Sequence, residues 1–521
     1  MEPRLIIIWT VIALYMLAMV FVGIRSAKKT TTLTDFVVGG RKAGPWVSAF
    51  AYGTTYFSAV LFIGYAGRSG WDFGLWAVLI GAANALLGAW MAWKLLAPRT
   101  RDVTRRLKIK TMPQMFEQRY GSSRMKVFAA VVIFIFMIPY SASVYSGLSY
   151  LCEIVLGIDY TWAMVAIAVI AAVYLIAGGY IASLSADFIQ GIIMIFGVIF
   201  MIVAIVRSEQ VGGLTAGLGR LTELMDAGGI LHLDGSQIIN LIGLCLLTSV
   251  GTWGMPQMIQ KFYGVADDKS IKTGTIISTG FAAIISVGAY FVGSLTRLFF
   301  TEVPGGVHDR MIPTILAGSL PALLLGVVLI LVLSASVSTL SGITLSSCST
   351  VSLDLIAGRK KSTLTKAKTL TLTRVLCLIF IVLSFVIASV KTPILLLMSF
   401  SWGTISGCFL APYLLGLWWK KMNRCGAWCG MITGLVVSVS LAIGSGFNSG
   451  NAPVFGVAAM AASFVMCIAG TFIGRRLGGK HAEVPERFFD KSFTLQAGEG
   501  GNPAAQGSSD PREIPVVQAA K

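Results

Sequence analysis

Charge is what this 521-residue chain has least of. Asp, Glu, Lys and Arg together make up 12% of it, about half the share of an ordinary soluble domain. Within that small share acids are rarer still, 23 against 41 Lys and Arg, and there are three histidines. So little charge excludes a surface that faces water on all sides. The chain has no GxxxxGK[ST] phosphate loop, which argues against an ATP-driven pump. Its apolar segments hold no nucleophile beside a general base, which argues against an enzyme. His232, His308 and His481 fall in loops or the tail, so a relay of intramembrane acids and histidines is missing too. The eight cysteines lie mostly one to a segment, where a thiol acts as a small hydrophobe. Cys425 and Cys429 stand one turn apart, with no nearby histidine to complete a metal site.

What is abundant is apolar: 55% of the residues are hydrophobic and the mean hydropathy is +0.79. Stretches of about 18 or more apolar residues, each able to cross a ~30 Å hydrocarbon core, recur from end to end. They predict an all-α polytopic membrane protein with about thirteen transmembrane helices. The first span has no small-residue cleavage site after it and reads as a retained helix. The expected organisation is a first helix and cytoplasmic loop over 1–45 and a ten-helix transport core over 46–419, with repeats 46–206 and 237–419. Two peripheral helices over 420–476 and a disordered cytoplasmic tail over 477–521, rich in Gly, Pro, Ala and charge, complete it.

Basic residues give the expected orientation. With the N-terminus outside and the C-terminus cytoplasmic, 34 of the 41 Lys and Arg fall on the inner side. Seven remain outside: Arg4, Arg68, Arg207, Arg220, Arg297, Arg310 and Lys391. This is the positive-inside pattern of a plasma or inner membrane protein. The formal net charge of +18 is thereby a topology label spread through loops, which argues against nucleic-acid binding. Lys261, Lys269 and Lys272 fall in one such inner loop, as topology charges or as ties across a closed inner gate. The lipid bilayer is the partner the composition implies; no obligatory protein partner is evident.

Two spans are interrupted. The second reads SAFAYGTTYFSAVLFIGYAG and the seventh LLTSVGTWGMPQMIQ, with Gly251, Gly254 and Pro256 close together. A mid-helix proline removes a backbone hydrogen bond and frees a carbonyl. Broken helices at matching positions of two halves are the mark of a secondary transporter. Five helices apart, they fit inverted repeats; glycines that only let helices pack closely are the plainer explanation. The ninth span, from near Ala317, carries ten hydroxyls between Ser334 and Thr350. Ala335, Ser338 and Thr339 share one helix face, with Ser341 a turn on. Neutral oxygens suit a monovalent cation, and the broken second span offers carbonyls near Thr54 and Phe57. Most of the ten serve as helix glue or bond back to their own helix.

VVGGRKAGPWVSAFAYGTTYFSA, GGYIASLSADFIQG, GTWGMPQMIQKFYGV and LVLSASVSTLSG, in that order, resemble the sodium:solute symporter family over about residues 30–420. Its members include sodium/proline and sodium/pantothenate symporters. The resemblance implies a leucine-transporter-type 5+5 inverted repeat, with one helix before the core and two after. It implies sodium as the coupling ion, held by backbone oxygens of Thr54, Phe57 and Ala335 and the hydroxyls of Ser338 and Thr339. Some relatives hold a second sodium on an aspartate and further serines. Asp187, Ser338 and Ser341 match these, while Gly342 stands in place of the next serine. Asp187 also suits the positive N-terminus of the sixth helix.

In this architecture the solute sits near the midplane between the broken helices. The facing candidates are Gly53, Tyr56, Tyr140, Ser141, Thr252, Trp253, Ser401 and Trp402. Where proline symporters have an aspartate this chain has Tyr56, and Thr248 and Thr252 replace an aromatic pair. Only Asn84 and Asn240 offer amides at comparable depth, which disfavours a sugar. A small carboxylate-bearing metabolite fits: an amino acid, pantothenate or a monocarboxylate. The expected function is sodium-coupled uptake of that solute by alternating access. A proton-coupled symporter of the same fold, a channel and a transporter-like sensor are the rivals.

Overall fold

The structure, a computed structural model, describes residues 3–27, 39–357 and 365–494, and their side chains apart from those at 23–24, 26–27, 40, 173–182 and 366–367. Among the described residues the chain is helical without a strand; its one β-type contact is an isolated bridge between Ala43 and Val265. Helix α1 (Pro3–Ala27) leaves Leu14, Leu17 and Phe21 more than 60% exposed. A helix apolar on its exposed face belongs against lipid.

The second expected span is broken. α2 (Pro45–Tyr56) opens with a proline at its first turn, where no N–H is needed. It ends at Phe57, which is extended at φ −108°, ψ 120°. Ser58 restarts the chain, its hydroxyl and carbonyl accepting from Val60 N and Leu61 N. A π-helical stretch (Val60–Tyr65) then leads into α3 (Ala66–Phe73). The third span is α4 (Val78–Ala83), a π-helical stretch (Asn84–Met91) and α5 (Ala92–Leu95). Two short helices follow, α6 (Ala97–Arg106) and α7 (Met112–Tyr120).

Next come α8 (Ser123–Leu156), α9 (Tyr160–Val206) and α10 (Leu214–Ala227). The seventh span is broken like the second: α11 (Gly235–Ser249), a tight turn (Val250–Gly254), an extended Met255, then α12 (Pro256–Tyr263). The chain continues through α13 (Asp268–Ala282), α14 (Gly288–Ser294), α15 (Met311–Ser319) and α16 (Ala322–Thr350). It ends with α17 (Lys366–Ala388), α18 (Ile394–Trp418), α19 (Arg424–Gly444) and α20 (Ala452–Leu477).

Eleven segments among the described residues are long and apolar enough to cross a membrane, against thirteen expected. The difference has two sources. The break leaves α2 too short to count, and the fifth span is described with its side chains only over Tyr160–Ala172, likewise too short, whereas the sixth counts as Ser183–Val206. Tyr160, at the start of α9, donates to Ala388 O at the end of α17. Beyond its other end, Met225 of α10 accepts from Leu75 N just past α3. The loop at His308–Arg310 packs against α3 and pairs with Glu153 at the end of α8, joining these ends into one upper face.

Basic residues lie on both faces of the molecule. Arg4, Arg68, Arg297, Arg310 and Lys391 lie on the upper one. The lower face is knitted by arginines on main-chain carbonyls. Arg41 donates to Thr104 O and Ile109 O, and Arg105 to Arg41 O and Val265 O. Arg119, fully buried, donates to Gly416 O, Trp419 O and Met422 O. Lys269 and Lys272 are exposed there, whereas Lys261 is buried.

Part of the stretch expected as a tail over 477–521 lies among the described residues. Residues Glu483–Phe493 form a strap on the lower face, held because buried cations there need partners. Arg106 donates to Phe488 O and Asp490 O, Arg424 pairs with Glu483, and Phe488 and Phe489 lie over the Arg119 guanidinium. The remainder, 495–521, lies outside the described residues. The peripheral helices join α18 through small residues: Gly407 meets Gly434 backbone to backbone, and Gly403 meets Gly456. Cys425 and Cys429 face Gly474 and Gly470, so their place is packing. Among the described residues no group of three His, Cys, Asp or Glu is placed to hold a metal.

Candidate functional site

The break in α2 faces the hydroxyl-rich middle of α16, and every side chain in this contact is buried. Breaking a helix leaves carbonyls without their i+4 donors. Two of them, Thr54 O and Thr55 O, receive the Thr339 hydroxyl, 3.2 Å from each. One turn away the Ser338 hydroxyl stands 3.0 Å from the Thr54 hydroxyl. Ser336 supports the far side of the break, accepting from Ala59 N while donating to Val332 O of its own helix. Of the five expected sodium ligands, Thr54, Ser338 and Thr339 are thus in direct contact. Phe57 is the extended residue that ends α2, and Ala335 lies one turn before Thr339 on the same face. Oxygens 3.0–3.2 Å apart are spaced nearly as the shared ligands of one hard cation, which sits about 2.3–2.6 Å from each. The donor set is all neutral oxygen, and it fits sodium.

Asp187 lies beside this site, on α9, with its side chain 1% exposed. Its Oδ1 accepts from Ser338 Oγ at 2.6 Å. Its Oδ2 meets Lys261 Nζ at 3.0 Å, with Ser183 Oγ at 3.4 Å. A hydroxyl that donates to a carboxylate presents its lone pairs the other way, toward Thr54, so Asp187 orients a candidate ligand. Ser341 donates to Val337 O at 2.7 Å. Thr55 Oγ1 and the amide of Gln257, just below the site, have no hydrogen-bond partner among the described residues. They flank Gly342, whose missing side chain lets α2 and α12 approach α16.

Above the break lies a cavity of about 20 Å³ lined by Tyr56, Tyr65, Asn84, Thr248, Tyr290, Met398 and Trp402, among others. That volume holds roughly one water, so a metabolite enters only after the helices part. Tyr56 donates to Thr248 O at 2.6 Å, Thr248 Oγ1 to Asn84 Oδ1 at 2.8 Å, and Asn84 Nδ2 to Ser286 Oγ at 3.0 Å. Tyr140 meets Trp402 edge-on, ring centres 5.6 Å apart.

Of the solute candidates, then, Tyr56 and Trp402 line the cavity and Tyr140 backs it. Gly53, Ser141, Thr252, Trp253 and Ser401 do not line it. Gly53 abuts the Phe281 ring, Thr252 bonds to Ser249 O, Trp253 Nε1 donates to Leu87 O, and Ser401 bonds to Phe136 O. Ser141 is buried, its hydroxyl without a partner among the described residues. Tyr65, Tyr290 and Met398 are lining residues the sequence did not single out. Tyr65 is paired to Ser399 at 2.7 Å; the phenols of Tyr65 and Tyr290 amid apolar runs are the one sequence signal, and Met398 gives none. A second cavity, of about 310 Å³, opens on the upper face between Arg68, Asp72 and Arg297.

Comparison with known proteins gives a consistent set of likenesses. The model of the sodium:solute symporter family matches residues 36–434. A high-affinity proline transporter, PutP, of Bacillus subtilis is 28% identical over 424 residues, 80% of this chain and 88% of the relative. A sodium/pantothenate symporter of Haemophilus influenzae is 26% identical over 408 residues, 77% of this chain and 83% of the relative. Among solved structures, a Na+-coupled sialic acid symporter in a substrate-bound outward-open state aligns with a TM-score of 0.74 at 18% identity. The alignment covers 91% of this chain and 98% of that one, so the folds correspond.

Proposed function

From the premise that the chain belongs to the sodium:solute symporter family, we propose that it imports a small carboxylate-bearing metabolite together with sodium by alternating access. One observation carries this reading: Ser338 and Thr339 close on the Thr54 hydroxyl and on the Thr54 and Thr55 carbonyls at 3.0–3.2 Å. Sodium entering there replaces hydroxyl–carbonyl bonds with ion–oxygen contacts, and it pins the end of α2 to α16. That fixes Tyr56 and Phe57, the residues at the floor of the solute cavity.

The positive-inside rule assigns the lower face to the cytoplasm. When α2 and α16 separate toward that side, the ion loses its ligands together. Thr55 Oγ1 and the Gln257 amide, uncommitted and just below, are placed to receive it. One charge crossing about 100 mV yields about 2.3 kcal/mol, and a tenfold sodium gradient adds about 1.4 kcal/mol. For a zwitterionic solute a single sodium thereby sustains roughly several-hundred-fold accumulation, and for an anion the gradient term alone sustains about tenfold.

For the solute, the cavity offers aromatic walls, a thioether, and the Asn84–Thr248 pair. Its lining has no cation to pair a carboxylate, which backbone N–H groups freed at a half-helix N-terminus can bind instead. Amino acids of proline-like size, pantothenate and monocarboxylates share that chemistry. The test is uptake into proteoliposomes across a panel of such metabolites and a sugar, with an imposed sodium gradient against choline. Sodium-dependent uptake of a carboxylate is expected, electrogenic for a zwitterionic amino acid and electroneutral for an anion carried with one sodium. Uptake indifferent to the replacement of sodium by choline sinks the proposal.

A further inference from the structure

Lys261 belongs by sequence to an inner loop, yet the fold buries it. It sits on α12, the lower half of the second broken helix, with its side chain 2% exposed and its ammonium 3.0 Å from Asp187 Oδ2. A buried carboxylate in a membrane protein needs a cation at contact distance. Where a second sodium would neutralise Asp187, a covalently attached charge already does. We propose that Lys261 is a resident cation standing in place of a second sodium, so that this transporter, on the symport reading above, couples one sodium per cycle.

Three further observations point the same way. Both oxygens of Asp187 are committed, one to Ser338 and the other to Lys261 and Ser183. The Ser341 hydroxyl is turned back to Val337 O. Gly342, where a further serine would supply an oxygen, brings none and has Thr55 and Gln257 beside it. A second sodium would have to displace the ammonium or share its carboxylate, leaving an uncompensated positive charge in a low-dielectric interior. The chain Lys261–Asp187–Ser338–Thr54 also joins four helices, α12, α9, α16 and α2. The lysine fixes the carboxylate, and the carboxylate fixes the Ser338 hydrogen away from the sodium site. Lys261 is therefore also a positioning residue for the first ion.

The experiment is equilibrium binding of radioactive sodium to the purified full-length protein, with thermal stabilisation by sodium against choline in parallel. The wild-type chain is expected to bind one sodium. Lys261→Gln is expected to bind two, because the freed carboxylate then recruits an ion, and the slope of melting temperature against log sodium should roughly double. Two ions on the wild-type chain overturn the substitution while leaving symport intact. No sodium on the wild-type chain overturns the symport reading itself. One sodium on a folded Lys261→Gln chain overturns the substitution and leaves symport intact, since the lysine would then only be packing. If Lys261→Gln does not survive purification in choline, sodium should rescue it, and failure of that rescue counts against the proposal.

Discussion

A single hydroxyl carries much of the site. Ser338 donates to Asp187 and offers its oxygen toward Thr54, so removing it takes a ligand away and leaves a carboxylate oxygen short of a donor. Ser338→Ala and Thr339→Ala are each expected to raise the sodium concentration for half-maximal uptake about tenfold, the equivalent of ~1.4 kcal/mol for a lost ligand. Sodium titration of uptake, with melting curves to verify folding, checks this. A second residue reports on pH. Asp309 lies in the upper loop, where burial lifts its carboxyl to about 6, against the lowering effects of the Ile394 N–H and of Arg68. A folded pKa above the unfolded one stabilises below about pH 4, and the benefit is lost as pH rises through 6. Asp309→Asn keeps an acceptor for Ile394 N, so the variant should melt higher than wild type at pH 7 and lose that advantage near pH 4. Equal melting temperatures at both values would refute the assignment. The hydroxyl cluster was legible in the sequence because ten oxygens in seventeen residues of an apolar run exceed what helix packing needs. Lys261 was not, because hydropathy reports where an apolar run ends and says nothing of how deep a long side chain reaches back.

At the scale of elements, the two breaks were legible from different signals. Pro256 and its glycines mark the seventh span, and the chain does turn at Val250–Gly254. In the second span the break comes at an extended Phe57 that no proline announces. What fixes that position is tertiary: Ser336 and Thr339 of α16 satisfy the freed backbone groups. The close crossing of α3 and α14 was hidden for the same reason. A Cβ on Gly70 would lie 1.9 Å from Gly293 O, and one on Gly293 would lie 2.0 Å from Ala66 O. No flexible side chain is there to yield. Gly293→Ala should therefore destabilise by about 3 kcal/mol, seen as a lowered melting temperature in detergent. Gly280→Ala on α13, where nothing lies within 4 Å, should be tolerated. If the two variants melt alike, the backbone contact does not exist in the folded protein.

For the whole molecule, the arginine-to-carbonyl ties of the lower face and the strap at Glu483–Phe493 act together, because Arg106 and Arg119 serve both. Ending the chain after Ala482 strips the rings from Arg119 and the carbonyls of Phe488 and Asp490 from Arg106. The shortened protein should open more readily downward, melt several degrees lower, and need more sodium for half-maximal uptake. Arg106→Ala should shift sodium dependence in the same direction. Unchanged melting and sodium dependence in both would mean that the strap is passive. Charge counting did not make the strap legible. Its composition is that of a solvated tail, and only the buried guanidiniums waiting on the lower face give it a place to bind. The strap also lies nearly four hundred residues after the first arginine it covers. Since a chain emerging from the ribosome folds from its beginning, every helix is inserted before this fastening can form. A nascent chain stalled before Glu483 would leave its membrane helices assembled in the bilayer with Arg106 and Arg119 still without the strap that covers them.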